Sequence, residues 1–229
     1  TIQPGVTICA MADAGLVIAQ GGQLQAIGKA DSLITFTSIK APSLRAHGDW
    51  RGIAIMGKAD NNYVDLGGGQ IPISRNTTFY GGETTPIDTD NSGTLAYMSI
   101  EYAGQNYSTD DYRSALLLNS VGSGTNMHHI QILNPKNNGL IALGGKFEVS
   151  DLYIQNAEHH DIEINYGYRG ELKDLLAIKK PLMQTFASTT KGIYVSNNPN
   201  NPSFRPLTNP TIDAFTLVGP QQCSTNPSD

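Results

Sequence analysis

Charge is scarce in this sequence. Only 15% of its 229 residues are Asp, Glu, Lys or Arg, and the net charge is −5. No cluster of Lys and Arg breaks that pattern, so the electrostatic footprint of a nucleic-acid binder is missing. No apolar run reaches the length of a membrane-spanning helix. Helical periodicity is missing too: nowhere do apolar residues recur at three- and four-residue steps over several turns. Cysteine is limited to Cys9 and Cys223, near opposite ends and at no metal-ligand spacing. In an elongated molecule these two lie beyond disulfide reach unless the C-terminal tail folds back along the body, so two inert thiols are the favoured reading and a bridge the other. No signal-peptide pattern opens the chain. TIQPGVTI reads as the middle of a strand pattern, and a mature or ordered portion of a longer protein is expected.

What is present is turn-forming. The chain holds 24 Gly and 12 Pro, with many Asn, Ser and Thr, the composition of an all-β protein with many corners. Short apolar strands ending in Gly or Asn recur: GLVIAQGG at Gly15, GIAIMGKA at Gly52, SALLLNSVGSG at Ser114, GLIALGGKF at Gly139, DIEINYGYRG at Asp161 and GIYVSNN at Gly192. A second strand repeats in step as HIQILN, DLYIQN and DLLAIK, with Ile130, Leu152 and Leu175 at spacings of 22 and 23. A period of this length with two or three short strands per unit predicts a parallel β-solenoid, its coils stacked about 4.8 Å apart. Asn134 and Asn156, which both end the second strand, are expected to stack along one corner. One domain spans 1–229. Residues 59–93 break the period as a long Gly/Asn/Thr-rich excursion, and 197–229 form a Pro/Asn-rich tail carrying one more strand, IDAFTLVG.

The segments GLVIAQGGQLQAIGKADSLITFTS, GDWRGIAIMGKA, DNSGTLAYMSIEYAG, SVGSGTNMHHIQI and NYGYRG resemble a group of secreted right-handed parallel β-helix proteins of Bacteroidota, usually cell-surface lipoproteins. The likeness runs from about Thr1 to Lys180 and returns near AFTLVGP. It implies a single-stranded right-handed parallel β-helix, a pectate-lyase-like solenoid, and export to the cell surface, outer membrane or medium. The tripeptide Asp31-Ser32-Leu33, similar to a short O-glycosylation motif of exported Bacteroidota proteins, fits that location. Relatives often carry an acidic run where this chain has His159, His160 and Asp161, so a cation site there does not carry over by resemblance.

Strand alternation assigns faces. Placing Ile162 and Ile164 inside puts Asp161, Glu163 and Asn165 outside. Aligning the other coils on that register puts Val17, Ala54, Met56, Leu116, Leu118, Ile141 and Leu143 on the outer face as well. An apolar outer face needs a cover, either the excursion or the tail, or else a docked envelope protein or second copy. Internal cover is the preferred expectation.

The chemistry stays open. Asp161 and Glu163, about 7 Å apart along one strand, with Arg169 beside them, are the candidate catalytic residues of a polysaccharide lyase or glycoside hydrolase. Glu158, Asp161 and Glu163 are candidate calcium ligands; no other cofactor is expected. The pairs His128/His129 and His159/His160 do not align between coils, and neighbours in a strand point apart, which argues against a transition-metal site. Asn106, Tyr107, Asp111 and Tyr112 in the loop QNYSTDDYR, with Tyr166 and Tyr168, are the candidate ligand-binding residues for a glycan. Trp50 reads as a corner core residue. The leading reading is a non-catalytic binding or assembly subunit of the cell envelope, serving glycan or nutrient capture. The alternatives are a lyase or hydrolase on the same scaffold and a structural surface or filament protein.

Overall fold

The computed structural model describes residues 1–73, 78–105, 114–180 and 190–219. Apart from one short 3-10 turn at Pro42–Leu44, the regular structure is strand: β1 (Thr7–Ala10), β2 (Gly15–Ile18), β3 (Leu24–Ile27), β4 (Ile34–Ser38), β5 (Gly52–Met56), β6 (Ile71–Pro72), β7 (Tyr80–Gly81), β8 (Gly93–Glu101), β9 (Ser114–Asn119), β10 (Asn126–Leu133), β11 (Asn138–Leu143), β12 (Glu148–Gln155), β13 (Ile162–Asn165), β14 (Glu171–Ile178), β15 (Ile193–Val195) and β16 (Thr211–Val218). Two parallel sheets wind around one core, ordered β2-β5-β9-β11-β13-β15 and β1-β4-β8-β10-β12-β14-β16. The chain is a parallel β-helix, as its repeat predicts.

The second sheet is folded along its length. Tyr97, His129, Asp151, Asp174 and Ala214 all have φ between 50° and 53°, and each occupies the unpaired position between two halves of its strand. Left-handed backbone at one residue turns each strand through a corner, so β3 and β4 pair separately with the two halves of β8. Each coil therefore has three faces. The corner after the second face is built by Tyr102, Asn134 and Asn156, again with positive φ. Asn156 Nδ2 donates to Asn134 Oδ1 at 2.9 Å, the ladder their spacing predicts. Trp50, fully buried, donates from Nε1 to the Glu101 carbonyl at 2.8 Å and stacks on Phe36, which confirms its corner role.

The core is a column of Ile, Leu, Val and Met drawn from all three faces. Leu116 and Leu118 belong to it, which corrects their placement on the outer face. The register pairs Leu116 with Leu140 and Leu118 with Ala142, a step of 24 residues, whereas aligning Gly139 with Ser114 gives 25. SALLLN is buried at every position, so alternation could not report which side is which. Leu117, one residue along, is the outward residue of that coil.

The outer face of the first sheet has its own core. Val17, Ala54, Met56, Leu117, Ile141, Leu143 and Tyr166 pack under Tyr63, Ile71 and Ile73 of the excursion. The 59–93 segment is thus a roof. It is fastened by Asn119 Nδ2 donating to the Ile71 carbonyl (2.8 Å) and Asn61 Nδ2 to Ser120 Oγ (3.0 Å). The tail locks it further: Asn62 Nδ2 reaches Asn197 Oδ1 and the Pro206 carbonyl at 2.8 and 2.9 Å. The cover that this apolar face needs thus comes from within the chain, the preferred expectation.

Candidate functional site

The stretch from Asn156 to Tyr166 enters β13 through a tight turn that buries His160 and Asp161. Asp161 precedes the strand, so strand parity does not govern it, and its side chain turns into the corner instead of sharing an outer face with Glu163. There its carboxylate meets the Lys179 amine at 3.0 Å, with both side chains at most 5% exposed. Lys179 also donates to the carbonyls of Ala157 (2.7 Å) and His159 (2.9 Å), which uses all three of its protons. Burial raises the Asp161 pKa, and Lys179 opposes that rise. Glu163 lies between two amides, accepting from Asn138 Nδ2 at 2.6 Å and Asn165 Nδ2 at 3.0 Å; burial raises it as well.

Arg169 does not join them. It sits beyond the far end of β13 and reaches across to the excursion, 3.2 Å from Asp60 and 3.9 Å from Asp88. Asp88 is in turn held by Lys146 at 2.6 Å. Burial works to raise the Asp88 pKa, but the bonds from Lys146 and the Asp60 N–H outweigh it and the net shift is downward. This four-residue network clamps the roof to the coil. The proposed catalytic set of Asp161, Glu163 and Arg169 is therefore three separate structural contacts. The proposed calcium set fares similarly. Glu158 pairs with His47 at 3.4 Å, while Asp161 and Glu163 have the partners just named. Among the described residues no group of three or more His, Cys, Asp or Glu side chains is arranged to hold a metal ion.

The tyrosine candidates are corrected too. Tyr166 is buried beneath the roof beside Tyr63, and Tyr168 is fully buried with its hydroxyl donating to the Phe147 carbonyl at 2.9 Å. Neither offers a face to a ligand. Asn106, Tyr107, Asp111 and Tyr112 lie outside the described residues, as does Cys223; Cys9 is a free, exposed thiol on β1.

Open space is found where the roof meets the coils. One cleft of about 370 Å³ is lined by Asp60, Gly67, Gly68, Thr84, Pro86 and Asp88, the clamp already described. A second, of about 240 Å³, is lined by Ala19, Gln20, Thr78, Phe79 and Tyr80. Phe79 and Tyr80 are 42% and 36% exposed, which leaves aromatic surface on show beside an amide. Gln20 donates its amide protons to the Gly57 and Gly82 carbonyls at 3.0 and 2.7 Å, which fixes its orientation. Sequence reasoning missed this pair while weighing four tyrosines elsewhere. The signal was the adjacent aromatics in TTFYGG, inside the long excursion and outside any repeat register.

A pectate-lyase-like beta helix domain model matches residues 1–228. The chain belongs to the pectate-lyase-like β-helix family. No curated protein and no solved structure matches it. Within this family the fold is shared by design of the coil, while activity depends on residues set upon it. Here the first sheet's outer face is roofed, and among the described residues the lining of the aromatic cleft at the roof's edge holds no carboxylate, histidine, lysine or arginine.

Proposed function

We propose that this β-helix is a non-catalytic glycan-binding subunit of the cell envelope. The observation that carries the reading is the cleft of Phe79, Tyr80, Gln20 and Thr78. It offers ring faces against which a sugar can stack, hydroxyl and amide groups that can hydrogen-bond it, and, among its described residues, no acid–base pair to cleave it. The carboxylates that resemble a hydrolytic pair are consumed by Lys179 and by two asparagines. The resemblance to secreted surface proteins supports an exported location. Affinity electrophoresis through gels containing neutral and acidic polysaccharides provides the test. Retardation by at least one glycan is expected, and the double variant Phe79→Ala/Tyr80→Ala should lose it by roughly tenfold or more, the scale of one to three kcal/mol per stacked ring. Steady release of reducing ends or unsaturated products from any of them would reverse the reading in favour of an enzyme.

One observation favours assembly as a second role. In the last coil the inward positions Val195, Phe215 and Leu217 are 44%, 55% and 39% exposed, so among the described residues the core column ends open. Solenoids need a cap at such an end. Sedimentation of the purified chain should show self-association that Phe215→Asp removes; a monomer at all concentrations would leave binding as the sole role.

A further inference from the structure

His128 and His129 are neighbours in β10, and alternation along a strand predicts rings on opposite faces. The structure places them together. His129 occupies the left-handed corner position, with φ of 53°, and this turn brings its ring round to meet that of His128. The two Nδ1 atoms are 2.9 Å apart. Both rings are braced by Tyr97 from the coil below, which stacks on His129 with centroids 4.2 Å apart and meets His128 edge-on at 5.6 Å. From the coil above, Asp151 Oδ2 lies 3.4 Å from His129 Nδ1 and is itself oriented by Ser150 Oγ at 3.0 Å. Tyr97, His129 and Asp151 are the same corner residue of three successive coils, so the solenoid repeat itself builds this cluster.

We propose that His128 and His129 form a chelate for one borderline divalent transition metal ion that favours right-angle coordination, Cu²⁺ or Ni²⁺. Two nitrogens each about 2.05 Å from a metal and at right angles to one another lie about 2.9 Å apart, whereas a tetrahedral angle sets them about 3.3 Å apart. The observed separation matches the former. Imidazole suits these metals and not calcium, which takes oxygen donors. Asp151 supplies negative charge beside the ion without completing a three-residue cage, and water fills the remaining positions of this open, solvent-facing corner. Without metal, one ring's Nδ1–H donates to the other's Nδ1. Binding shifts that proton to Nε2 and frees both lone pairs. The other pair has no such capacity: His159 Nδ1 is bonded to Asn138 Oδ1, and His160 Nδ1 accepts from the Lys191 N–H at 2.9 Å.

The test is titration of the full chain with Cu²⁺, followed by calorimetry and by electron paramagnetic resonance. One equivalent should bind, with hyperfine structure from two equivalent nitrogens. His128→Ala and His129→Asn should each weaken binding roughly tenfold or more. The asparagine is chosen because it tolerates left-handed backbone, so the corner is retained. His159→Ala should leave binding unchanged. Absence of stoichiometric binding, a signal from a single nitrogen, or wild-type affinity in either His128→Ala or His129→Asn would overturn the assignment.

Discussion

Lys179→Met should destabilise the protein by about 3–5 kcal/mol at neutral pH, the scale of breaking a buried ion pair. The methionine fills much of the same space, so the loss is electrostatic. It leaves the Asp161 carboxylate buried without its counter-ion, and strips a donor from the carbonyls of Ala157 and His159. The expected signature has two parts. Relative to wild type at the same pH, the deficit shrinks on acidification, because burial already raises the Asp161 pKa and removal of Lys179 raises it further. Adding Asp161→Asn to Lys179→Met should recover a large share of the loss, since a neutral amide does not carry the desolvation cost of a charge. Urea midpoints of the two single variants and the double variant decide it. Additive losses in the cycle would show that the pair is not coupled. In that case the turn 157–161 would be held by its backbone alone.

This pair illustrates what the sequence could and could not disclose. The coil period was legible because Ile130, Leu152 and Leu175 sit on one strand register, and the structure pairs them directly or through a shared neighbour. The Asn134–Asn156 ladder was legible because asparagine at a fixed spacing has one economical arrangement in a stacked corner. Lys179 was not, since its link to Asp161 crosses from the end of one coil to the start of another face, and nothing local marks it. Register failed at SALLLN for a different reason: a strand buried on both sides has no alternation to read.

The histidine pairs went astray through backbone geometry. Parity arguments hold only where φ stays extended, and His129 and Asp151 occupy a corner where it does not. The aromatic cleft was hidden because Phe79 and Tyr80 lie in the excursion, where no repeat indicates orientation. Tyr166 and Tyr168 looked like exposed platforms after a polar strand, yet the roof and the Phe147 contact enclose them. For the cleft and for Tyr166 the missing information was tertiary, carried by the 59–93 segment folding back over its own sheet.

That enclosure has a consequence in acid. His160 is 6% exposed, stacks on Tyr194 at 5.0 Å and accepts the Lys191 N–H at Nδ1. Burial, with His159 and the nearby Lys179 and Lys191 charges adding to it, holds its pKa down to about 4. An unfolded chain takes up that proton near pH 6.5, so between these two values the unfolded state binds more protons than the folded one. Stability contributed by the neutral ring is therefore complete above pH 6.5 and declines as the pH falls towards 4, by about 2–3 kcal/mol. His159, also lowered by burial, pulls in the same direction. Asp161 and Glu163 are raised, so they pull the other way across part of the same range, and the raw stability curve alone would mislead. Asp49 and Asp88 are lowered below 3.8 and act only at more acid pH. The difference between wild type and His160→Asn isolates the effect. Asparagine offers an acceptor near the Nδ1 position and cannot charge, so the variant should resist acidification from pH 6.5 to 4 better than wild type, whatever its stability at neutral pH. Thermal unfolding at half-unit intervals measures that difference. Parallel curves would mean that the ring is already protonated in the fold or that Tyr194 opens freely to solvent, and would remove His160 as the acid-sensitive point of this corner.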